Sequence, residues 1–407
     1  MNVAVIGGGA SGFFAAINVK ENHPNANVVI FEKTKKVLTK VRVSGGGRCN
    51  VTNGTSSTSE LYKAYPRGGK KLKKIFEIFS TKDTFKWFES RKVPLYIQDD
   101  NRVFPKSNNS QTIIDCLFSE IKILDIEVQL GFEVEKIKLV NKNLKLIFKN
   151  NEQKPQTFNK IIVATGGTSK IEDFTWLKEL NHTIEPPVPS LFTFNNPKNP
   201  ITKLMGLVAE NTLVTIQGTK LKSEGPLLIT HWGFSGPAVL KTSAFGARIL
   251  SEKNYLFNVQ INWINEPNND KIATELKEII KASPQKKIIN IKPFNLPERL
   301  WSYIIEKSVL PKEKKWGELG KKGLNKLINL LSNDIYQIKG KTTFKEEFVT
   351  CGGVSLDNIN LKTMESKKCK NLFFAGEIMD IDGITGGYNF QAAWSTGFIA
   401  GKLITDL

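Results

Sequence analysis

Four short stretches of this 407-residue sequence hold the residue types that bind phosphate or move protons and electrons. The first is Gly7-Gly8-Gly9-Ala10-Ser11-Gly12, which fits G-x-G-x-x-G. In that pattern Gly7 permits a tight turn, Gly9 lets the backbone reach a pyrophosphate, and Gly12 lets helix and strand pack closely. The N–H groups of the helix opening at Ala10 and Ser11 then face the phosphates. Glu32, twenty residues beyond Gly12, is placed to accept hydrogen bonds from a ribose 2′-OH, with Lys33 beside it in the same cofactor set. The second stretch, "SGGGRCNVTN" (Ser44 to Asn53), sets three bare backbones, Gly45, Gly46 and Gly47, next to the Arg48 guanidinium and the Cys49 thiol. That combination suits close approach to something flat or anionic. The third is "ATGG", in which Thr165 and Gly166 form a cofactor-side turn. The fourth runs from Gly376 through the acids Glu377, Asp380 and Asp382 to Gly386-Gly387 and a helix of small residues from about Tyr388. A carboxylate there suits ribityl hydroxyls, and a bare helix N-terminus points N–H groups at an electron-rich ring atom.

Two residues are candidates for catalysis itself. Cys49 has the reactivity of a redox thiol but no partner at CxxC spacing, so packing is the preferred reading. His231, in "THWGFSGP", is the histidine that falls inside a motif; it suits general acid–base work, with a hydrogen-bonded structural role preferred. Trp232 and Tyr388 read as core aromatics before they read as ring-stacking partners. The four cysteines and three histidines lack the spacing of a zinc site or disulfide framework, so no metal is expected.

The elements that must position these residues follow from periodicity. "VAVIG" and "ANVVIFE" read as buried parallel strands flanking a helix from Ala10 to roughly Asn22, a complete β-α-β setting for the fingerprint. "KKLKKIFEIFSTKDTFKWFESR" reads as two amphipathic helices, and "IEVQLGFEVEKIKLV" with "LKLIFKN" as antiparallel strands. "KIIVATGG" is a further buried strand whose turn lies at the carboxyl edge of the sheet, where ligands of open α/β sheets sit. The Pro-rich "IEPPVPSLFTFNNPKNP" marks a boundary. Beyond it, residues 190–262 are rich in short β-like runs and 270–335 are helical and lysine-rich. "KNLFFAGE…" then returns to strand, loop and helix.

The expected class is α/β: a split, Rossmann-like FAD-binding domain with an inserted β-rich part and a small helical subdomain. The domains are residues 1–188 and 346–407 for the nucleotide-binding part and 189–345 for the insert, helical over about 265–335. A fingerprint at one end and a strand–acid–Gly-Gly–helix at the other, brought into one sheet, suit a long ligand. FAD fits: its ADP half on the first β-α-β, its flavin against the last helix.

Composition is that of an ordinary globular chain, 40% hydrophobic and 24% charged, without an apolar run near the roughly 20 residues that span a bilayer. No basic leader precedes "NVAVIGGG", so a cytoplasmic protein with reduced cysteines is expected. The net charge of +19 raises nucleic acid as a partner. Lysine far outnumbers arginine and is dispersed, however, and the densest cluster, "RGGKKLKK", precedes an apolar helical run. A small-molecule substrate is preferred, with no membrane and no nucleic acid; oligomeric state stays open.

Taken together, "GGGASG", "SGGGRCNVTN", "IVATGG", "THWGFSGPAVL" and "AGEIMDIDGITGGYNFQAAWSTG" resemble the BaiN/RdsA-like flavoproteins, also described as the aminoacetone oxidase family. The motifs run from residue 5 to residue 401. The resemblance implies a three-part architecture, an FAD-binding domain split between both ends with an inserted β-barrel and a small helical cap, and Gly45, Gly46 and Gly47 admitting the flavin and pyrophosphate close to the backbone. It further implies that Lys40, Arg42 or Arg48 neutralises the phosphates, that Val134 grips the adenine through its backbone, and that Gly387, Asn389 and Phe390 of "GGYNFQ" lie against the cofactor. The chain departs from the family after "ATGG", where "TSKIEDFTWLKEL" replaces a proline- and glycine-rich turn that bears on substrate specificity. The function expected is an FAD-dependent oxidoreductase acting on a small organic substrate, an amine or an enone, with NADH or NADPH as transient reductant or oxygen as acceptor. The alternatives are a flavin-dependent RNA-modifying enzyme, a non-catalytic flavin-binding protein, and a sheet that binds NAD alone.

Overall fold

The computed structural model describes residues 1–342 and 349–405. The chain forms two compact units, Met1–Ser190 with Phe344–Leu407, and Leu191–Thr343.

The first unit is built on five parallel strands. Asn2–Ile6 (β1) pairs with Asn27–Glu32 (β2) on one side and with Lys160–Val163 on the other. Glu127–Leu130 (β3) continues the sheet beyond β2, and Leu372–Phe374 beyond Lys160–Val163. With Lys160–Val163 as β4 and Leu372–Phe374 as β5, the order is β5-β4-β1-β2-β3. The central strands are apolar throughout because both faces are covered; Val3, Ala4 and Val5 are wholly buried. Glu127–Leu130 corrects one expectation. It joins this parallel sheet as its edge strand, while Val134–Val140, Asn143–Phe148 and Gln156–Phe158 form the antiparallel meander. Sequence alternation alone does not distinguish an edge strand of one sheet from the first strand of the next.

Ala10–Asn22 (α1) packs on this sheet and along Tyr388–Gly401. Both helices are buried on nearly every side, so neither shows a polar stripe. Small residues let them approach: a Cβ on Gly397 would lie 2.9 Å from the Ser11 carbonyl oxygen, and one on Gly401 2.5 Å from the Asn18 Cβ. Thr39–Gly47 (α2) begins as a helix and breaks at Ser44. Gly69–Ile78 (α3) is followed by Thr81–Glu89, the two amphipathic helices expected there. Tyr388–Gly401 is α4. Ile184–Ser190 and Val349–Val354 pair antiparallel, so the Pro-rich segment is itself a strand. Pro186, Pro187 and Pro189 are tolerated because that pair forms a two-stranded sheet of its own, where edges need no second partner.

The second unit holds a seven-stranded antiparallel sheet. Its order is Asp334–Lys339, Leu256–Asn262, Val208–Ile216, Lys222–Thr230, Gly233–Ser235, Thr193–Asn195 and Lys341–Thr342. The two edge strands are separated in sequence by Gly340 alone, at φ +131°, so the sheet curls until its edges meet at that end. A barrel-like wall results, filled by Phe194, Val214, Ile229, Phe234, Val259 and Ile261. Asn269–Ala282, Glu298–Lys307 and Gly320–Ser332 supply the helical part, in which Trp301 and Trp316 stack at 6.1 Å. Asp334 staples it to the sheet: it is 1% exposed and accepts from the Trp263 indole (3.0 Å), the Tyr336 hydroxyl (2.5 Å) and Lys307. Pro237–Phe245 and Ala247–Glu252 are helices inside the run read as β-rich. Pro237 at the first helical turn was the signal for the first of them.

Candidate functional site

Because the five strands are parallel, the turns after β1, β4 and β5 stand side by side at one edge of the sheet. Gly7 (φ +115°) leaves no room for a side chain, since a Cβ would sit 2.4 Å from the Ala164 oxygen; on Gly12 it would sit 1.9 Å from the Gly7 oxygen. Gly376 meets Ser11 in the same way, its added Cβ lying 2.5 Å from the Ser11 hydroxyl. Gly9 and Gly166 differ: a Cβ on either would meet nothing within 4 Å. They form an open face in front of α1, whose N-terminus has no side-chain cap and therefore presents unpaired N–H groups. Ala10 opens that helix, and Thr165 is exposed beside Gly166.

Glu32 stands at one end of this edge. Its carboxylate accepts from the Gly8 amide (2.8 Å) and the Thr34 amide (2.9 Å), which hold it at the tip of β2 with lone pairs to spare. The Phe132 amide donates to the Glu32 carbonyl, so Val134, two residues on, starts its strand near that tip, in register with Phe148. Lys33 is exposed. Lys40 pairs with Glu377 at 2.7 Å, and Glu377 also accepts from the Thr350 amide at 2.8 Å. That bridge joins the chain after β2 to the chain after β5. Arg42 donates to Gln111 at 2.7 Å. Both cations thus have protein partners, whereas the N-terminus of α1 has no side-chain cap.

The other end is formed by "SGGGRCNVTN" and the start of α4. Gly45, Gly46 and Gly47 are consecutively left-handed (φ +59°, +69° and +83°), a run that only glycine adopts without strain. Added Cβ atoms on Gly46 or Gly47 would meet nothing within 4 Å, which makes a second open cradle. The following residues lace this segment to α4. Gln391 accepts from Thr52 (2.5 Å) and Thr84 (2.9 Å) and donates to Ser395 (2.9 Å), which donates to the Phe79 carbonyl (2.8 Å). Asn53 donates to the Gly386 carbonyl at 2.9 Å, and the Trp394 indole to that of Val51 at 2.9 Å. Gly387 (φ +88°) fits only as glycine, because a Cβ would lie 2.1 Å from the Thr52 oxygen. The N-terminus of α4 also has no side-chain cap. Sequence reading missed Thr52, Thr84, Gln391 and Ser395; the signal was Gln391 and Ser395, polar and at i, i+4 spacing in a helix of mostly small and apolar residues.

The two uncapped N-termini are staggered. Ser11, at the start of α1, lies against Gly397, whereas Asn18 lies against Gly401, so the helices run the same way. The ten residues from Gly387 to Gly397 therefore carry the N-terminus of α4 about 15 Å past that of α1. An extended dinucleotide with one end on α1 and a ring system on α4 fits these cradles, and FAD is such a group.

Several candidate residues have other tasks. Cys49 is fully buried, and burial pushes its thiol up to about 12, with a Ser44 hydrogen bond opposing. It holds its proton at neutral pH, which suits the packing role preferred for it over that of a redox thiol. Asp382 is buried against Arg67 and the Ser190 hydroxyl (2.7 Å), a structural corner rather than a ribityl ligand. Asp380 lines a separate groove of about 540 Å³ with Tyr62, Lys63 and Asp357. The Asn389 amide is spent on the Gly383 backbone (2.8 and 3.0 Å), leaving its own N–H at the helix start. Phe390 stacks on Trp394 at 5.8 Å, and the Tyr388 carbonyl accepts from Tyr65 at 2.6 Å. His231 belongs to the second unit, exposed in the turn between Lys222–Thr230 and Gly233–Ser235, edge-on to Trp232 at 4.2 Å. No hydrogen bond orients its ring among the described residues. After Gly167, the atypical turn runs into Ile171–Phe174 and Thr175–Lys178, with the Trp176 indole donating to the Asp173 carbonyl (2.9 Å). No helix is long and apolar enough to cross a membrane among the described residues.

The chain matches the family described as "HI0933-like protein Rossmann domain" over residues 1–403. It is 26% identical, over 99% of both chains, to the 3-dehydro-bile acid delta(4,6)-reductase of Clostridium scindens. It is 28% identical, over 97% of this chain and 95% of the other, to the ribosomal RNA dihydrouridine synthase of Escherichia coli. Among solved structures, the 3-ketosteroid-delta4-(5alpha)-dehydrogenase of Rhodococcus jostii RHA1 superposes with a TM-score of 0.51 at 12% identity, over 98% of this chain and 96% of that one. This last likeness is one of fold.

Proposed function

Since the chain belongs to the HI0933-like Rossmann-domain family, we propose that it is an FAD-dependent oxidoreductase that saturates a carbon–carbon double bond conjugated to a carbonyl. The observation that carries this reading is the stagger of two uncapped helix N-termini along one glycine-lined edge, about 15 Å apart by helix rise. Both named relatives support the substrate class. A delta(4,6)-reductase of a 3-dehydro bile acid and an enzyme that makes dihydrouridine each remove unsaturation next to a carbonyl.

The residues divide the work by position. The N-terminus of α1 receives the pyrophosphate, Glu32 the ribose, and Gly46 and Gly47 admit the cofactor close to the backbone. The first N–H groups of α4, at Tyr388, Asn389 and Phe390, favour negative charge on the ring edge they face. Bound flavin supplies two-electron hydride chemistry, and NADH or NADPH is the reductant in this reading, binding transiently without a second Rossmann domain.

The net charge of +19 favours a second substrate for the same chemistry, a uracil ring in RNA. One experiment separates the possibilities. Purified protein is followed by visible absorption, anaerobically, on adding NADH or NADPH, then an enone or uridine-containing RNA. Flavin bands that bleach and return on adding the enone support the proposal. Return with RNA alone, with binding that falls steeply in salt, moves the assignment to the second reading. A colourless protein that cannot be reconstituted with FAD sinks both.

A further inference from the structure

We infer that Arg48 is the residue that grips the carbonyl oxygen of the substrate, an inference that rests on the proposed reduction of a conjugated double bond. Arg48 is half-buried, and its guanidinium lies over the Phe104 ring at 4.0 Å. Its Nε donates to the Gly45 carbonyl at 3.2 Å. No carboxylate pairs with it, and its two terminal nitrogens have no partner among the described residues. Arg102, which shares the Phe104 ring at 5.8 Å, is by contrast paired with Asp100 at 2.6 Å. A partly buried guanidinium held from one side, with its forked N–H groups unspent, is pre-organised for an oxygen atom carrying negative charge.

Position separates this oxygen from a cofactor phosphate. Arg48 is two residues from Asn50, whose Oδ1 would lie 2.9 Å from a Cβ on Gly387. Arg48 therefore belongs to the α4 end of the site, about 15 Å along the helix from the N-terminus of α1 that faces the pyrophosphate. The chemistry needs a cation at that end. Hydride, derived from the nicotinamide reductant, adds to the carbon β to the carbonyl; the double-bond pair shifts and places negative charge on the carbonyl oxygen, beside Arg48. A proton from water then adds at the α carbon and the carbonyl re-forms. The substrate has gained one hydride and one proton.

The test compares FAD-loaded wild type with Arg48→Met, which keeps an apolar stem over Phe104, and with Arg48→Lys. The probes are a 4-ene-3-keto bile acid and its saturated 3-keto product. Expected for Arg48→Met is a fall of about 10- to 100-fold in kcat/KM, the loss of one charged hydrogen bond. Binding of the saturated ketone, followed by its perturbation of the flavin spectrum, weakens in parallel. FAD affinity and the rate of bleaching by the nicotinamide stay within about twofold of wild type, and Arg48→Lys recovers part of the loss because it returns the charge without the fork. A loss of FAD affinity instead would make Arg48 a phosphate ligand and overturn the inference, as would unchanged turnover and ketone binding. Wild type that holds FAD and bleaches, yet reduces no enone, overturns the functional reading itself; that failure shows before any variant is made.

Discussion

At the scale of single residues, burial decides which titratable groups are available. His182 is 4% exposed, and its Nδ1 lies 3.1 Å from the Leu177 carbonyl, which only accepts, so Nδ1 carries the proton. Its Nε2 then accepts from the Ser366 hydroxyl at 2.7 Å, and Ser366 Oγ in turn accepts from the Lys368 and Cys369 amides at 2.9 Å. Burial holds the imidazole below its ordinary value of 6.5, against the opposing Leu177 hydrogen bond. The unfolded chain therefore takes up a proton that the native ring refuses. The stability this ring contributes is fully present above pH about 6.5 and is lost as pH falls from there through the native value. Urea midpoints measured between pH 7.5 and 5 should decline in wild type and decline less in His182→Gln. Parallel declines would show that the ring does not carry the effect.

At the scale of elements, two glycines of the site separate folding from binding. Gly387, which starts α4, stands at φ +88° against the Thr52 carbonyl. Gly387→Ala adds a left-handed penalty of roughly 1–2 kcal/mol to a backbone overlap that only movement of α4 can relieve. A drop of at least about 2 kcal/mol in unfolding free energy is expected, with or without cofactor. Gly46 has a similar φ, +69°, but open space around it. Gly46→Ala should cost the cofactor-free protein only that left-handed penalty of roughly 1–2 kcal/mol, while its methyl group occupies the cradle and weakens FAD binding. Thermal melts with and without FAD distinguish the two. If Gly46→Ala binds FAD as wild type does, the cradle is not a cofactor surface.

At the scale of the whole molecule, each unit has its own core: one around the parallel sheet and α1, the other inside the barrel and under the tryptophan pair. Unfolding in two steps is expected. FAD at about 100 times its dissociation constant should stabilise the step belonging to the nucleotide-binding unit by about 2.7 kcal/mol and leave the other in place. Calorimetry showing a single step that FAD moves as a whole would mean that the cores are coupled. The charge of +19 opposes folding through self-repulsion that salt relieves, and more strongly per residue in the second unit, where 23 basic residues stand against 12 acidic ones.

By itself the sequence determined the β-α-β fingerprint, the helix from Tyr388 and the α/β class. These are local: periodicity, turn glycines and buried strand runs are written within a few residues of one another. It also marked the glycine-rich segment and the Gly-Gly before α4 as places of close approach. Only the tertiary structure decided that Thr52, Thr84, Gln391 and Ser395 join those two segments, because their hydrogen bonds span more than 300 positions in sequence. It decided which charges are free as well. Lys40, Arg42 and Arg48 look alike in the sequence, yet distant residues, Glu377 and Gln111, claim the first two, while Phe104 only orients the third. Whether a side chain already has a partner depends on what folding brings beside it, and neighbours in sequence carry no record of that.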